Sequence, residues 1–313
     1  MARVFGWFAL GLVSLLVAPA ALAEGVEWQD LSLSEALEKA REQNTIVMID
    51  VYAGHCHQCG DMDEQLWEQQ DGADLAEGVI PIKVATDNPS GYEVQRRYPV
   101  LGLPLVIFVD ADGEEIDRIV GYTNHEAFLE EARMIKNGTD LLPEMEAQLE
   151  SDPSVSLMVE ILQKYLYRKR EADAEALLER IIAADSQGLK ATTALTHMAK
   201  YYDYFRRDQL KSQSYYVRTL KTYPGSSGVA SALRATLNFA RANGATDDWI
   251  EFVCSLTDAN PDASRLNLYV ARFANQNGLR GECLARAARN AKASGMPGSA
   301  AMDSIAVILE GGR

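Results

Sequence analysis

"IDVYAGHCHQCGDMD", residues 49–63, runs from an apolar, β-branched stretch through two cysteines, Cys56 and Cys59, into acidic residues with helical spacing. The preceding residues extend the apolar run to "TIVMIDVYA" (45–53), the pattern of a strand covered on both faces. After the cysteines, "DMDEQLWEQQDGADLAE" (61–77) places Met62, Leu66 and Trp67 on one stripe and predicts a helix. The cysteine pair therefore sits where a buried strand turns into a helix N-terminus. In that setting free N–H groups and the positive helix end favour a thiolate on the first cysteine. Cys56 is accordingly the better nucleophile, and Cys59, one turn further in, can reach it.

The flanking sequence completes an α/β unit. "LSLSEALEKARE" predicts a helix over 33–43 with Ser34 as its cap. "VIPIKVA" (79–85) predicts a second buried strand, and 90–98 a short helix. "PLVIFVDADGEEIDRIVGY" predicts two strands joined at Asp110-Ala111-Asp112-Gly113. That loop lacks the later ligands of a calcium loop and reads as a turn. A last helix over 124–136 ends at Asn137-Gly138. Two strands joined through helical crossovers and closed by a hairpin give a mixed sheet with helices on both faces.

From about residue 141 the pattern is helical only: "SLMVEILQKYLYRKR" (156–170), "ADAEALLERIIAAD" (172–185), "ATTALTHMAKYYDYF" (191–205) and "QSYYVRTLKTYPGS" (213–226). The breaks at Ser186, Pro224 and Pro261 lie 38 and 37 residues apart, which points to helical-hairpin repeats. Met158, Ile161, Leu162 and Tyr165, then Ala174, Leu178 and Ile181, resemble the packing positions of tetratricopeptide repeats in a divergent form over roughly 150–295. Lys200 departs from that pattern, falling where a small residue belongs; generic stacked helical pairs stay open. The tyrosine-rich stretch 201–223 reads chiefly as repeat packing, with part of it a candidate lining for a concave peptide-binding face.

Composition bounds what these units do. The chain has 313 residues, too many for one ordinary domain. Arg3, the apolar run "FGWFALGLVSLLVAP" (5–19) and Ala21-Leu22-Ala23 predict a secretory signal over 1–23, with an uncleaved anchor as the alternative. Its removal takes away Arg3 alone and moves the formal charge from −15 to −16. So acidic a surface repels nucleic acid and anionic lipid, and nucleic-acid binding is discarded. The domains expected are the signal at 1–23, the α/β unit at 24–140 and the helical repeats at 141–313. The mature protein is expected to be exported, periplasmic and soluble, where disulfide chemistry can operate.

"IDVYAGHCHQCGDMD", "YPVLGLPLVIFVDADGEE" (98–115) and "GYTNHEAFLEE" (121–131) together resemble the thioredoxin superfamily. They are most similar to the C-terminal thioredoxin-like domain of periplasmic thiol–disulfide interchange reductases, over about 30–137. The resemblance implies Cys56 as nucleophile, Cys59 as resolving cysteine and Asp50 as the buried acid that moves protons at the second cysteine. It implies a cis peptide at Pro104, with Leu103 offering its backbone to substrate, and a second acid at Asp63. It differs at His55, where an aromatic is usual, at His57-Gln58 between the cysteines, and at Leu105, where threonine is common. His55 and His57 are taken as substrate-facing, and a protonated histidine there would favour the reduced form. Asp50, Asp63 and the net charge oppose that.

The function expected is thiol–disulfide exchange, on the resemblance reductase or isomerase rather than oxidant, acting on protein thiols and disulfides. No flavin or nicotinamide fingerprint is present, so no cofactor beyond the cysteine pair is expected. A separate redox partner, membrane-bound in one reading, would supply electrons, and the repeats would recruit a protein partner. Two alternatives stand beside it. The first is metal binding by His55, Cys56, His57 and Cys59, although residues this close along a turn converge poorly on one ion. The second is a non-enzymatic adaptor with an idle cysteine pair. Cys254 and Cys283, on predicted helices, are either buried small residues or a structural disulfide. His125 and His197 read as surface or partly buried histidines, and Trp67 and Trp249 as core anchors.

Overall fold

The computed structural model describes residues 25–311; the signal over 1–23 lies outside them. Helix α1 (Leu33–Gln43) leads into β1 (Val47–Tyr52), and α2 (His57–Met62) carries the cysteines' C-terminal side. A π-helical turn (Asp63–Trp67) and α3 (Gln70–Ala76) follow, then β2 (Ile80–Ala85), α4 (Pro89–Arg97), β3 (Leu105–Val109), β4 (Glu115–Val120) and α5 (His125–Lys136). The sheet order is β2-β1-β3-β4, with β1 parallel to β2 and the other neighbours antiparallel.

Alternation along β1 sorts the two faces. Val47, Ile49 and Val51 join α1 and α4 in one core through Leu33, Leu37 and Val94. Met48 joins Met62, Leu66, Trp67, Phe128 and Ile135 in the other. Asp50 shares Met48's parity, so a carboxylate is placed on the face that the cysteine helix covers.

Two local expectations are corrected. Ser32, not Ser34, caps α1: its hydroxyl accepts from the Glu35 N–H while the Glu35 carboxylate accepts from the Ser32 N–H. Ser34 instead donates to Glu93. The single helix expected over 61–77 is broken, with Gln69 extended between the π-helical turn and α3. The Trp67 carbonyl, which a continuous helix would use internally, accepts from Val26 N–H at 2.7 Å.

From Leu142 onward the described elements are all helical: α6 (Leu142–Ser151), α7 (Val155–Tyr167), α8 (Glu171–Ala184), α9 (Ala191–Lys200) with a second π-helical turn (Tyr201–Phe205), and α10 (Gln209–Thr222). They continue through α11 (Val229–Ala242), α12 (Thr246–Ala259), α13 (Ser264–Gln276), α14 (Glu282–Ala293) and α15 (Met302–Leu309). Asp185, Tyr223 and Asn260 end α8, α10 and α12 with nearly the same backbone angles, so the regular spacing of breaks marks the ends of successive hairpins. Most tyrosines of 201–223 are buried, as packing requires; Tyr204 is 54% exposed. Cys254 and Cys283 are disulfide-bonded and tie α12 to α14.

The two parts share a seam. Leu101 belongs to the helical core, and the buried Asp117 of β4 accepts from Lys164 of α7 at 2.8 Å with both oxygens. Arg168 adds a contact to Asp117 at 3.4 Å, and the Arg118 guanidinium lies over the Tyr167 ring. These contacts hold the start of the helical region against the open edge of the sheet.

Candidate active site

Cys56 occupies the N-cap position of α2, and its sulfur accepts from the Cys59 N–H at 3.2 Å. The two cysteines are disulfide-bonded. Cys56 is partly exposed whereas Cys59 is 5% exposed, so one sulfur is accessible and its partner is covered. That asymmetry suits an attacking and a resolving sulfur. The local cause is the strand-to-helix turn: Cys56 N–H bonds back to the Ala53 carbonyl, closing a turn that carries Gly54 and His55.

Asp50 is 2% exposed. Burial pushes its carboxyl up to about 6, against the pull of Lys83. Lys83 is the functional residue that the sequence reading missed. It pairs with Asp50 across the β1–β2 register, 3.3 Å from the carboxylate, and also bonds Asp63. Burial pulls its ammonium down, but the two carboxylates more than offset this and leave it above the usual lysine value. Its ammonium also lies over the rings of Tyr52 and Trp28. The available signal was a lysine inside the otherwise apolar run "VIPIKVA".

The Leu103–Pro104 peptide is cis. Pro104 is buried and Leu103 is partly exposed. Among the described residues, no hydrogen bond within the protein uses the Leu103 N–H or carbonyl, and the β3 ladder begins only at Leu105. Leu103 therefore has an unused main-chain edge, and it lines the same cleft as Cys56 and His55. His57 does not share that cleft. Its side chain is 96% exposed and leans toward Asp61 at 3.9 Å.

The other singled-out residues have structural partners. His125 sits between the Tyr122 hydroxyl and the Asp71 carboxylate. His197 is partly buried against Gln163, and desolvation lowers its pKa to about 4. Trp67 and Trp249 are buried, the latter donating to the Thr236 hydroxyl. Among the described residues, no three His, Cys, Asp or Glu side chains are grouped to hold a metal ion.

A family model described as a thioredoxin-like domain matches residues 33–135. The thiol:disulfide interchange protein DsbD of Pseudomonas fluorescens is 33% identical over 102 residues, covering 31% of this chain and 18% of that protein. DsbD 2 of Pseudomonas aeruginosa is 30% identical over 105 residues, covering 32% of this chain and 18% of that protein. The chain thus spans less than a fifth of the length of these relatives. Among solved structures, a thioredoxin from Thermus thermophilus is 31% identical, covering 33% of this chain and 83% of that one with a TM-score of 0.31. The cysteine turn, the cis-proline and the order β2-β1-β3-β4 lie within the matched segment, and residues 33–135 are a thioredoxin-like domain, homologous to a segment of DsbD proteins and followed by a large all-helical region.

Proposed function

We propose that the protein is an exported thiol–disulfide oxidoreductase working through Cys56 and Cys59, in the reductase or isomerase direction. The observation that carries this reading is the pair itself, with Cys56 accessible at a helix start, Cys59 covered, and Asp50 buried on the face that the helix covers. In the reduced protein, the Cys56 thiolate attacks one sulfur of a client disulfide. A bond forms between Cys56 and that sulfur, and the client's other sulfur leaves as a thiolate. Asp50 takes the Cys59 proton, the Cys59 thiolate attacks the Cys56 sulfur, and the second client sulfur departs. Two electrons have then passed to the client, and the Cys56–Cys59 bond has re-formed. A separate dithiol protein returns the pair to the reduced state by the same exchange. The free edge of Leu103 gives an extended client segment something to pair with, and Asp63 acts through Lys83.

The direction is taken from the resemblance to the thioredoxin-like domain of thiol–disulfide interchange reductases. His57 points into solvent beside Asp61, away from the cleft. Asp50 works against a nearby thiolate, whereas the helix start and the cations lining the cleft favour one, so the reduction potential decides between reductase and oxidant. The chain is taken as a signal at 1–23, the redox unit at 24–140 and tetratricopeptide-like repeats at 141–313 that recruit a protein partner.

The test is the reduction potential, read by equilibrating the mature protein in graded glutathione buffers and counting alkylated thiols. A value near about −270 mV supports the reductase, and one near about −120 mV reverses the direction. A pair that does not cycle overturns the redox reading. Cys59→Ser adds a separate check, since it should accumulate mixed disulfides through Cys56, whereas an adaptor with an idle pair should accumulate none.

A further inference from the structure

We infer that the helical region builds the second wall of the cleft at Cys56 and selects cysteine-bearing peptide segments that also carry acidic side chains. This rests on the redox reading above and names the class of substrate for that same site.

The cleft measures ≈ 580 Å³. One wall comes from the thioredoxin-like loops around Cys56 and Leu103; the other comes from Lys200 at the end of α9, Tyr204 and Phe205 of the π-helical turn, and Arg207 in the connection that follows. A slot bounded on both sides admits an extended strand rather than a folded surface. The π-helical turn adds a residue to the helical repeat and re-aims the side chains that follow it. Tyr204 is left 54% exposed there, while its neighbours Tyr201 and Tyr202 are buried. An exposed aromatic in a slot offers a face for a peptide to lie against.

Charge decides which peptide. The chain carries 45 acidic residues against 30 Lys and Arg, yet no Asp or Glu lines this cleft, and Lys200, Arg207 and His55 do. Among the described residues, neither Lys200 nor Arg207 has a carboxylate within ion-pair distance. Nearby cations of the connection and of α10 are paired: Arg206 with Glu171, Lys211 with Glu175 and Arg218 with Glu179. Lys200 donates to the Leu101 carbonyl at 3.3 Å, a contact across the seam that sets the ammonium at the cleft and leaves further N–H donors free. The same Lys200 is the residue that breaks the small-residue pattern of the repeat. A lysine there gives up packing and gains a cation facing the cysteine site.

The experiment uses the mature full chain, reduced, and three otherwise identical peptide disulfides with Glu, Gln or Lys flanking the cysteine. Each second-order rate is divided by that peptide's own rate with dithiothreitol, which removes intrinsic differences in leaving-group reactivity. Hydroxyethyl disulfide, small and uncharged, reports whether the cysteine pair exchanges at all. The Glu peptide should react about fivefold faster than the Lys peptide, two partly exposed ion pairs being worth that much together. The net charge of the protein pushes the other way, so a preference for acid must be local. Arg207→Glu should reverse the ratio and Lys200→Gln should reduce it, each variant being scaled to its own rate with hydroxyethyl disulfide. Raising the salt concentration should shrink the preference in the parent. Equal rates for the three peptides, or a ratio that neither substitution moves, overturn the groove alone. No exchange with hydroxyethyl disulfide overturns the redox reading and this inference with it.

Discussion

The Lys83 ammonium lies 3.3 Å from the Asp50 carboxylate and bonds Asp63 on its other side, so one cation serves two acids on the face covered by the cysteine helix. Register produces this arrangement, because Asp50 and Lys83 are direct partners on parallel strands and point to the same side. The pairing lowers the cost of the buried acid without removing it. Asp50 is left able to exchange a proton near neutral pH, which a surface aspartate is not.

That proton has a consequence for stability. Asp50 titrates near about 6 when folded and near 3.8 when free, so between these values the folded chain holds more protons than the unfolded chain. Stability therefore falls as pH rises from about 4 to about 6, and the whole cost is present above that. A shift of this size, in which the pull of Lys83 is already included, corresponds to about 3 kcal/mol. Asp50→Asn should be more stable than the parent by about 1–3 kcal/mol at pH 7.5, with the difference closing near pH 4. Urea denaturation of both proteins at the two pH values checks this. A variant less stable than the parent at pH 7.5 would mean that the ion pair outweighs the burial.

The same carboxylate should shape the kinetics. Single-turnover resolution of a mixed disulfide should speed up as pH rises through about 6, where Asp50 becomes able to accept the Cys59 proton. Asp50→Asn should lose that limb and slow resolution at pH 7 by at least about tenfold. Lys83→Met removes the charge that holds Asp50 down, so the limb should move to higher pH and not disappear. Stopped-flow pH profiles of the three proteins separate these outcomes, and identical profiles would remove Asp50 from the reaction.

Much of the thioredoxin-like unit was legible because its signals are local. The β-branched runs at 45–53 and 105–109, the turn at Asp110–Gly113 and the pair Cys56–Cys59 each announce themselves within a few residues. The parity of Asp50 on its strand was readable too. The cap at Ser32 was legible as well, since Ser32 and Glu35 have the spacing of a capping box. Other features had no local signal. The break after Trp67 depends on a Val26 amide that reaches its carbonyl from far upstream. Lys83 acquires its role only through strand register, and Lys200 and Arg207 only because the helical region folds back over the cysteine cleft.

The seam between the two parts should be sensitive to one of its charges. Asp117 is 1% exposed and bonds Lys164 with both oxygens, while accepting from the Leu141 N–H at 3.1 Å. Lys164→Met would leave that carboxylate buried with Arg168 as its remaining cation, and should cost about 3 kcal/mol. Adding Asp117→Asn should recover most of the loss, since the buried charge goes with its partner. Equilibrium unfolding of the four proteins in this cycle gives the coupling. Near-additive losses would show that the pair does not hold the seam.

The disulfide between Cys254 and Cys283 should act on a different part of the molecule. It joins α12 to α14, helices of successive hairpins, across a sequence separation of 29. Closing a loop of that length restricts the unfolded chain by about 3–4 kcal/mol on the chain-entropy account. Replacing both cysteines, Cys254→Ala with Cys283→Ala, should lower the unfolding free energy of the helical region by about that amount. Thiol–disulfide exchange at Cys56 should be unchanged, because neither residue lines the cleft. Under dithiothreitol the parent should fall to the variant's denaturation midpoint. A parent that keeps its midpoint after full reduction, with its free thiols counted, would show that packing alone holds α12 against α14.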